Sequence, residues 1–102
     1  MQAYLISYDI TDNNQRYKTA RLLLRAGLFR VQKSVFIGSM SDQRYLRLQA
    51  QLQLLEQQPR WSANDQLLLL PLHQYTEDNL QTIGTKTPNW DLIYRRLHTL
   101  IL

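Results

Sequence analysis

Residues 28–37 read LFRVQKSVFI, and the placement of this stretch decides the architecture. Taken as extended chain, its period-two alternation separates Phe29, Val31, Lys33, Val35 and Ile37 from Leu28, Arg30, Gln32, Ser34 and Phe36. The first set suits a core. The second carries an arginine, an amide and a hydroxyl in succession, which suits a face that holds polar chemistry.

On the N-terminal side, AYLISYDI (3–10) is rich in β-formers, with Tyr4, Ile6, Tyr8 and Ile10 on one face and Leu5, Ser7 and Asp9 on the other. TDNNQRYKTARLLLRAG (11–27) then predicts a helix. Asp12 or Asn13 serves as its N-cap, Tyr17, Ala20, Leu23 and Leu24 form the apolar stripe, and Gly27 ends it. Lys18, Arg21 and Arg25 fall away from that stripe, as either a solvated face or a surface turned to phosphate.

On the C-terminal side, SMSDQRYLRLQAQLQLLEQQP (39–59) spaces Tyr45, Leu48, Leu52 and Leu55 as a second helix, capped by Ser39 or Ser41 and stopped near Pro59. QLLLLPL (66–72) is a short apolar run suited to a strand buried on both faces, and LQTIG (80–84) suits another. The apolar residues of 85–102 fit helix or strand, and a partner subunit is a natural place to bury them. The order is β-α-β-β-α-β if residues 28–37 break into a hairpin, and β-α-β-α-β-β otherwise. The hairpin gives a ferredoxin-like α+β sandwich over residues 1–84, two helices on one face of a four-stranded antiparallel sheet, with 85–102 as an extension in a dimer interface. Val31, Val35 and Ile37 are then expected to serve the helices. The uncovered face is expected to carry Leu5, Ser7, Asp9, Arg30, Gln32, Ser34 and Phe36.

Bulk properties narrow the function. A chain of 102 residues, 44% apolar, forms one domain with a modest core that an oligomer interface can enlarge. Lys and Arg number 12 against 8 for Asp and Glu, a balance that favours polyanions through counterion release. With no cysteine there are no disulfides, thiolate metal sites or cysteine nucleophiles, which fits a reducing cytoplasm. No apolar run reaches bilayer-spanning length and no secretory leader pattern opens the chain, so the expectation is a cytoplasmic protein without a membrane partner. His73 and His98 are too far apart to suggest zinc, and neither a phosphate-binding glycine motif nor an aromatic RNA-recognition signature occurs.

Asp9 is the residue with chemistry. A carboxylate at a strand end can hold Mg²⁺ or Mn²⁺, hard ions that take oxygen ligands, and a two-fold dimer would bring two copies together. Arg16 and Arg30 could hold phosphate oxygens and Phe36 could stack on a base. The structural alternatives are that Asp9 or Asp12 caps the first helix, Arg30 pairs with an acid and Phe36 is dimer core.

The run YLISYDITDNNQRYKTARLLLRAGLFRVQKSVFIG (4–38) resembles the opening of the second core Cas protein family, the small CRISPR-associated adaptation protein. A YDI strand end, an arginine-bearing first helix, a glycine and RVQ-x-SVF-x-G follow one another in that order. The resemblance implies a ferredoxin-like homodimer with its sheets facing across the two-fold, and a C-terminal segment that adds to the partner's sheet. It implies that Asp9 is the metal-binding catalytic residue of a Mg²⁺-dependent nuclease, with Tyr8, Arg16, Arg30 and Phe36 in support. It implies a second role as well, in which the dimer bridges copies of a CRISPR-associated integrase and holds double-stranded DNA, with Lys18, Arg21 and Arg25 on phosphates. Single-stranded RNA is the other substrate of such a nuclease, and a toxin-type metal-dependent endoribonuclease of similar fold is the alternative reading. Ile37 departs from the family, whose members often carry Glu there.

Overall fold

The computed structural model describes residues 2–72 and Ile83. The elements are β1 (Gln2–Asp9), α1 (Asn13–Arg25), β2 (Phe29–Gln32), β3 (Val35–Met40), α2 (Asp42–Leu55) and β4 (Gln66–Leu72). Residues 28–37 therefore break into a hairpin at Lys33 and Ser34. The result is the ferredoxin-like α+β fold, a four-stranded antiparallel sheet in the order β2-β3-β1-β4. The fourth strand comes from 66–72. The strand expected at 80–84 (Ile83 apart), the boundary at 84 and the extension 85–102 lie outside the described residues. Among the described residues no helix is long and apolar enough to cross a membrane.

Local chemistry sets the helix ends. Asp12 is extended and its carboxylate accepts from the Gln15 N–H at 3.0 Å, fixing the start of α1. At the other end Gly27 takes φ 94°, the Gly27 N–H donates to Leu24 O, and the Leu28 N–H donates to Leu23 O. This is a Schellman close, which needs a residue free to enter the left-handed region. Ser41, not Ser39, caps α2 by accepting from the Arg44 N–H at 3.2 Å.

The core lies between the two helices and one sheet face. Tyr4, Ile6, Tyr8 and Phe36 come from the sheet, and Ala20, Leu23, Leu48 and Leu52 from the helices. The buried stripe of α1 is Gln15, Thr19, Ala20 and Leu23, with the Thr19 hydroxyl satisfied by Gln15 O at 2.8 Å. Tyr17 and Leu24, expected on that stripe, are exposed. The helix is rotated so that its polar 15 and 19 positions close against the sheet, a choice that apolar periodicity cannot reveal.

The face assignment of residues 28–37 is reversed relative to expectation. Register pairs Phe36 with Ile6 and Ile37 with Leu5, so Phe36 and its partner Arg30 join Tyr4, Ile6 and Tyr8 beneath the helices. Phe29, Val31 and Ile37 join Ala3, Leu5 and Leu72 on the opposite face, which no described helix covers. Alternation sorts Phe29, Val31 and Ile37 from Leu28, Arg30 and Phe36 but does not say which group meets the helices, which cross-strand pairing decides, and Gln32 crosses the expected division by pairing with Val35. A register shift between Arg30 and Gln32 absorbs one extra residue.

β4 is also not buried on both sides. Leu67 and Leu69 pack against the core, while Leu68 and Leu70 on the other face are each 54% exposed. The strand is an edge within the described sheet, where Pro71 costs no ladder bond to a further strand. At the centre, Gly38 lets β3 pass close to the turn after α1. A Cβ there would sit 2.8 Å from Leu28 Cδ2 and 3.0 Å from Leu28 Cα.

Candidate functional site

The C-terminal end of β1, the first turns of α1 and the β2–β3 turn surround a cleft of about 400 Å³, lined by Tyr8, Asp9, Arg16, Tyr17, Arg30 and Lys33 among others. Four of the residues singled out in the sequence thus meet: Tyr8, Asp9, Arg16 and Arg30. Asp9 closes β1 on the face opposite Tyr8 and is exposed, and its carboxylate makes no hydrogen bond or ion pair with a described residue. The capping alternative falls to Asp12 instead. Its carboxyl is held below the usual range, first by the Gln15 N–H and then by Arg60, whose Nη1 lies 3.3 Å away.

Several contacts fix the walls. The Tyr8 N–H donates to Ser34 O at 3.1 Å, and its hydroxyl donates to Lys33 O at 3.5 Å, so the strand end and the turn move together. Arg16 Nη1 donates to Ile10 O at 3.4 Å. The loop after β1 is clamped by Asp65, whose Oδ1 accepts from the Thr11 N–H and hydroxyl, both at 2.9 Å, and whose Oδ2 accepts from the Ser62 N–H at 2.9 Å. Those hydrogen bonds, from Ser62 first and Thr11 second, draw the Asp65 carboxyl below its ordinary pKa.

Phe36 is placed differently from the expectation that it stacks on a base. It is completely buried, its ring packed 6.0 Å from that of Tyr8 and 5.0 Å beneath the Arg30 guanidinium. Its role is to support, holding Arg30 over an aromatic face. Lys33, grouped with the core set by alternation, lies instead in the turn and is exposed in the cleft. The hairpin break was the signal that could have released it.

Lys18, Arg21 and Arg25 are all exposed along α1. Arg21 lies over the Tyr17 ring at 5.5 Å, and Arg25 sits in a separate groove between the helices with Arg44 and Arg47. Among the described residues Arg16, Arg30 and Lys33 have no carboxylate partner, and the ion pair is that of Arg60 with Asp12. The cleft, as the described residues form it, is a cationic surface with the Asp9 carboxylate at its rim. Among the described residues no three of His, Cys, Asp and Glu gather to hold a metal. The described part of one chain brings a single carboxylate to the cleft, which a hard cation that retains most of its waters can use only weakly.

Residues 1–79 match the family model described as CRISPR associated protein Cas2. The chain is similar to the CRISPR-associated endoribonuclease Cas2 of Korarchaeum cryptofilum, 56% identical over 39 residues, which is 38% of this chain but 42% of that relative's length. It is similar over a longer span to the CRISPR-associated endoribonuclease Cas2 3 of Synechocystis sp., 40% identical over 92 residues, 86% of this chain and 95% of the relative. Among solved structures, a chain of a partial Cas6-RT-Cas1–Cas2 complex is 30% identical with a TM-score of 0.68, covering 81% of this chain and 91% of its own. A match over residues 1–79, more than half of its length, places the chain in the CRISPR associated protein Cas2 family.

Proposed function

We propose that the chain works in CRISPR adaptation as a homodimer that binds nucleic acid, bridges an integrase partner, and holds Mg²⁺ or Mn²⁺ between the Asp9 carboxylates of two copies. One observation carries this reading: the Asp9 carboxylate, which has no partner among the described residues, stands at the end of a largely apolar sheet face that no described helix covers. Leu5, Phe29, Val31, Leu68 and Leu70 give that face the character of half an obligate interface, and a second copy is the occupant whose Asp9 completes the site. The similar chain solved in a Cas1–Cas2 complex supports the integrase partner.

The donor set fits such a cation only as a shared site. Two carboxylates, one from each copy, match the one or two that Mg²⁺ accepts while keeping water. When bound, the ion supplies charge stabilisation at phosphoryl oxygens. The remaining work belongs to side chains of this protein. Arg16, Arg30 and Lys33 offer guanidinium and ammonium groups to phosphate oxygens on one side of the cleft, and the buried Phe36 and Tyr8 rings keep Arg30 from collapsing onto the sheet. Lys18, Arg21 and Arg25 extend the positive surface along α1 for phosphates that are held and not cut.

Asp9→Asn separates holding from cutting. The expected result is a dimer by sedimentation, unchanged binding of double-stranded DNA, and loss of divalent-dependent phosphodiester cleavage. A monomer at working concentration in the parent protein, or cleavage that survives the substitution, ends the reading. Spacer acquisition measured with the same variant tells which role matters biologically: survival assigns the chain to the scaffold, and loss with an intact dimer assigns it to catalysis.

A further inference from the structure

We infer that the Tyr17 ring is a stacking platform for one unpaired base of a single-stranded nucleic acid, whose adjoining phosphate lies against Arg16, Arg30 and Lys33. The inference rests on the reading of this cleft as a nucleic-acid site and adds the state of the strand it accepts.

Tyr17 is 63% exposed although it lies on a helix whose apolar residues serve the core. Its ring is not idle: Arg21 sits 5.5 Å from the centroid and donates from Nη1 to the Tyr17 hydroxyl at 3.5 Å, steadying the ring at the cleft wall. Among the described residues the other two aromatic rings near the cleft, Tyr8 and Phe36, are 7% and 0% exposed and present no face to a ligand. Tyr17 thus supplies the open aromatic surface beside three cations that lack a carboxylate partner among the described residues. Stacking platforms next to positive grooves are how single strands are held without reading sequence, since every base has a π-face. A cleft of about 400 Å³ lies at the small end of ligand pockets, the scale of a single nucleotide.

The test is equilibrium anisotropy with a fluorescein-labelled single-stranded oligonucleotide in EDTA, so that nothing is cut. Tyr17→Ala is expected to weaken binding by roughly 5- to 150-fold, the range seen when a base-stacking aromatic is truncated. Tyr17→Phe, which keeps the ring, is expected to stay within about twofold of the parent on the same principle. The loss from Tyr17→Ala should vanish on a duplex of the same sequence and on an oligomer of abasic sugar-phosphates, neither of which offers an unpaired base. Equal binding by Tyr17→Ala and parent on the single strand overturns the proposal, and so does an equal loss on the abasic oligomer, which would mark a general disturbance of the cleft. If the parent protein binds no oligonucleotide of any kind, the underlying nucleic-acid reading fails too, an outcome distinct from both.

Discussion

Replacing Phe36 by leucine asks whether that ring works inside the protein or outside it. The side chain has no exposed surface, stacks on Tyr8 at 6.0 Å and underlies the Arg30 guanidinium at 5.0 Å. Truncation to alanine empties a site that the surrounding sheet cannot collapse into, at a cost of about 3–5 kcal/mol. Against a total stability of about 5–15 kcal/mol for a domain, that variant is a poor reagent. Leucine keeps most of the volume. What it loses is the aromatic pair, about 0.5–1.5 kcal/mol, and a small unfilled gap, together roughly 1–2 kcal/mol. With a urea m value of about 1.5 kcal/mol/M, the unfolding midpoint falls by roughly 1 M at fixed protein concentration.

The binding assay is run well below that midpoint. Phe36→Leu is expected to keep its affinity for single-stranded oligonucleotide within about threefold, because Arg30 retains its backbone position and loses only the underlying ring, a contact of about 0.5–1 kcal/mol. An unchanged urea midpoint together with a tenfold loss of affinity would refute the reasoning, since it would mean that the ring meets nucleic acid and not Tyr8.

Other substitutions report on other parts of the fold. Gly38→Ala drives a Cβ to within 2.8 Å of Leu28 Cδ2 and 3.0 Å of Leu28 Cα, and should lower stability by about 1–3 kcal/mol in the same urea assay. The Asp12 and Asp65 carboxyls have folded pKa values below their unfolded ones, so their stabilisation is complete above the unfolded value of about 4 and is lost as pH falls through the folded value. Asp65→Asn should therefore flatten the acid side of a stability–pH curve below about pH 5, leaving the neutral region parallel to the parent. Neutralising Lys18, Arg21 and Arg25 together should weaken duplex binding and lower the slope of log K against log salt by about 0.9 for each lost phosphate contact. A slope equal to the parent's would make that helix face merely solvated.

Much of the architecture is legible in local chemistry. Asp12, Gly27 and Ser41 mark helix ends by mechanisms that act within a few residues, and the alternation in 28–37 separates Phe29, Val31 and Ile37 from Leu28, Arg30 and Phe36 as the sheet does, though not Gln32 from Val35. What could not be read is everything decided across strands. Whether Phe36 or Ile37 meets the helices depends on pairing with Ile6 and Leu5, residues some thirty positions away, and the alternation is equally consistent with both. The site shows the same division. Asp9, Arg16 and Arg30 were legible because their types and order carry chemistry, whereas Lys33 and Tyr17 became visible only once the turn at 33–34 and the rotation of α1 were known. Gln15 and Thr19 take the buried positions in place of Tyr17, the Thr19 hydroxyl donating to the Gln15 backbone carbonyl, an arrangement no hydropathy pattern signals.

The two hydrogen bonds that the Asp65 carboxylate accepts from Thr11, with the third that it accepts from Ser62, join the segment just beyond Asp9 to the segment that leads into β4. Loosening either segment breaks bonds in the other, so the two belong to one cooperative opening unit and their amides should exchange with solvent protons at a common rate. A molecule that orders one of them slows exchange at both, and in this way occupancy of the cleft is felt at the margin of the sheet without any displacement of the backbone between them.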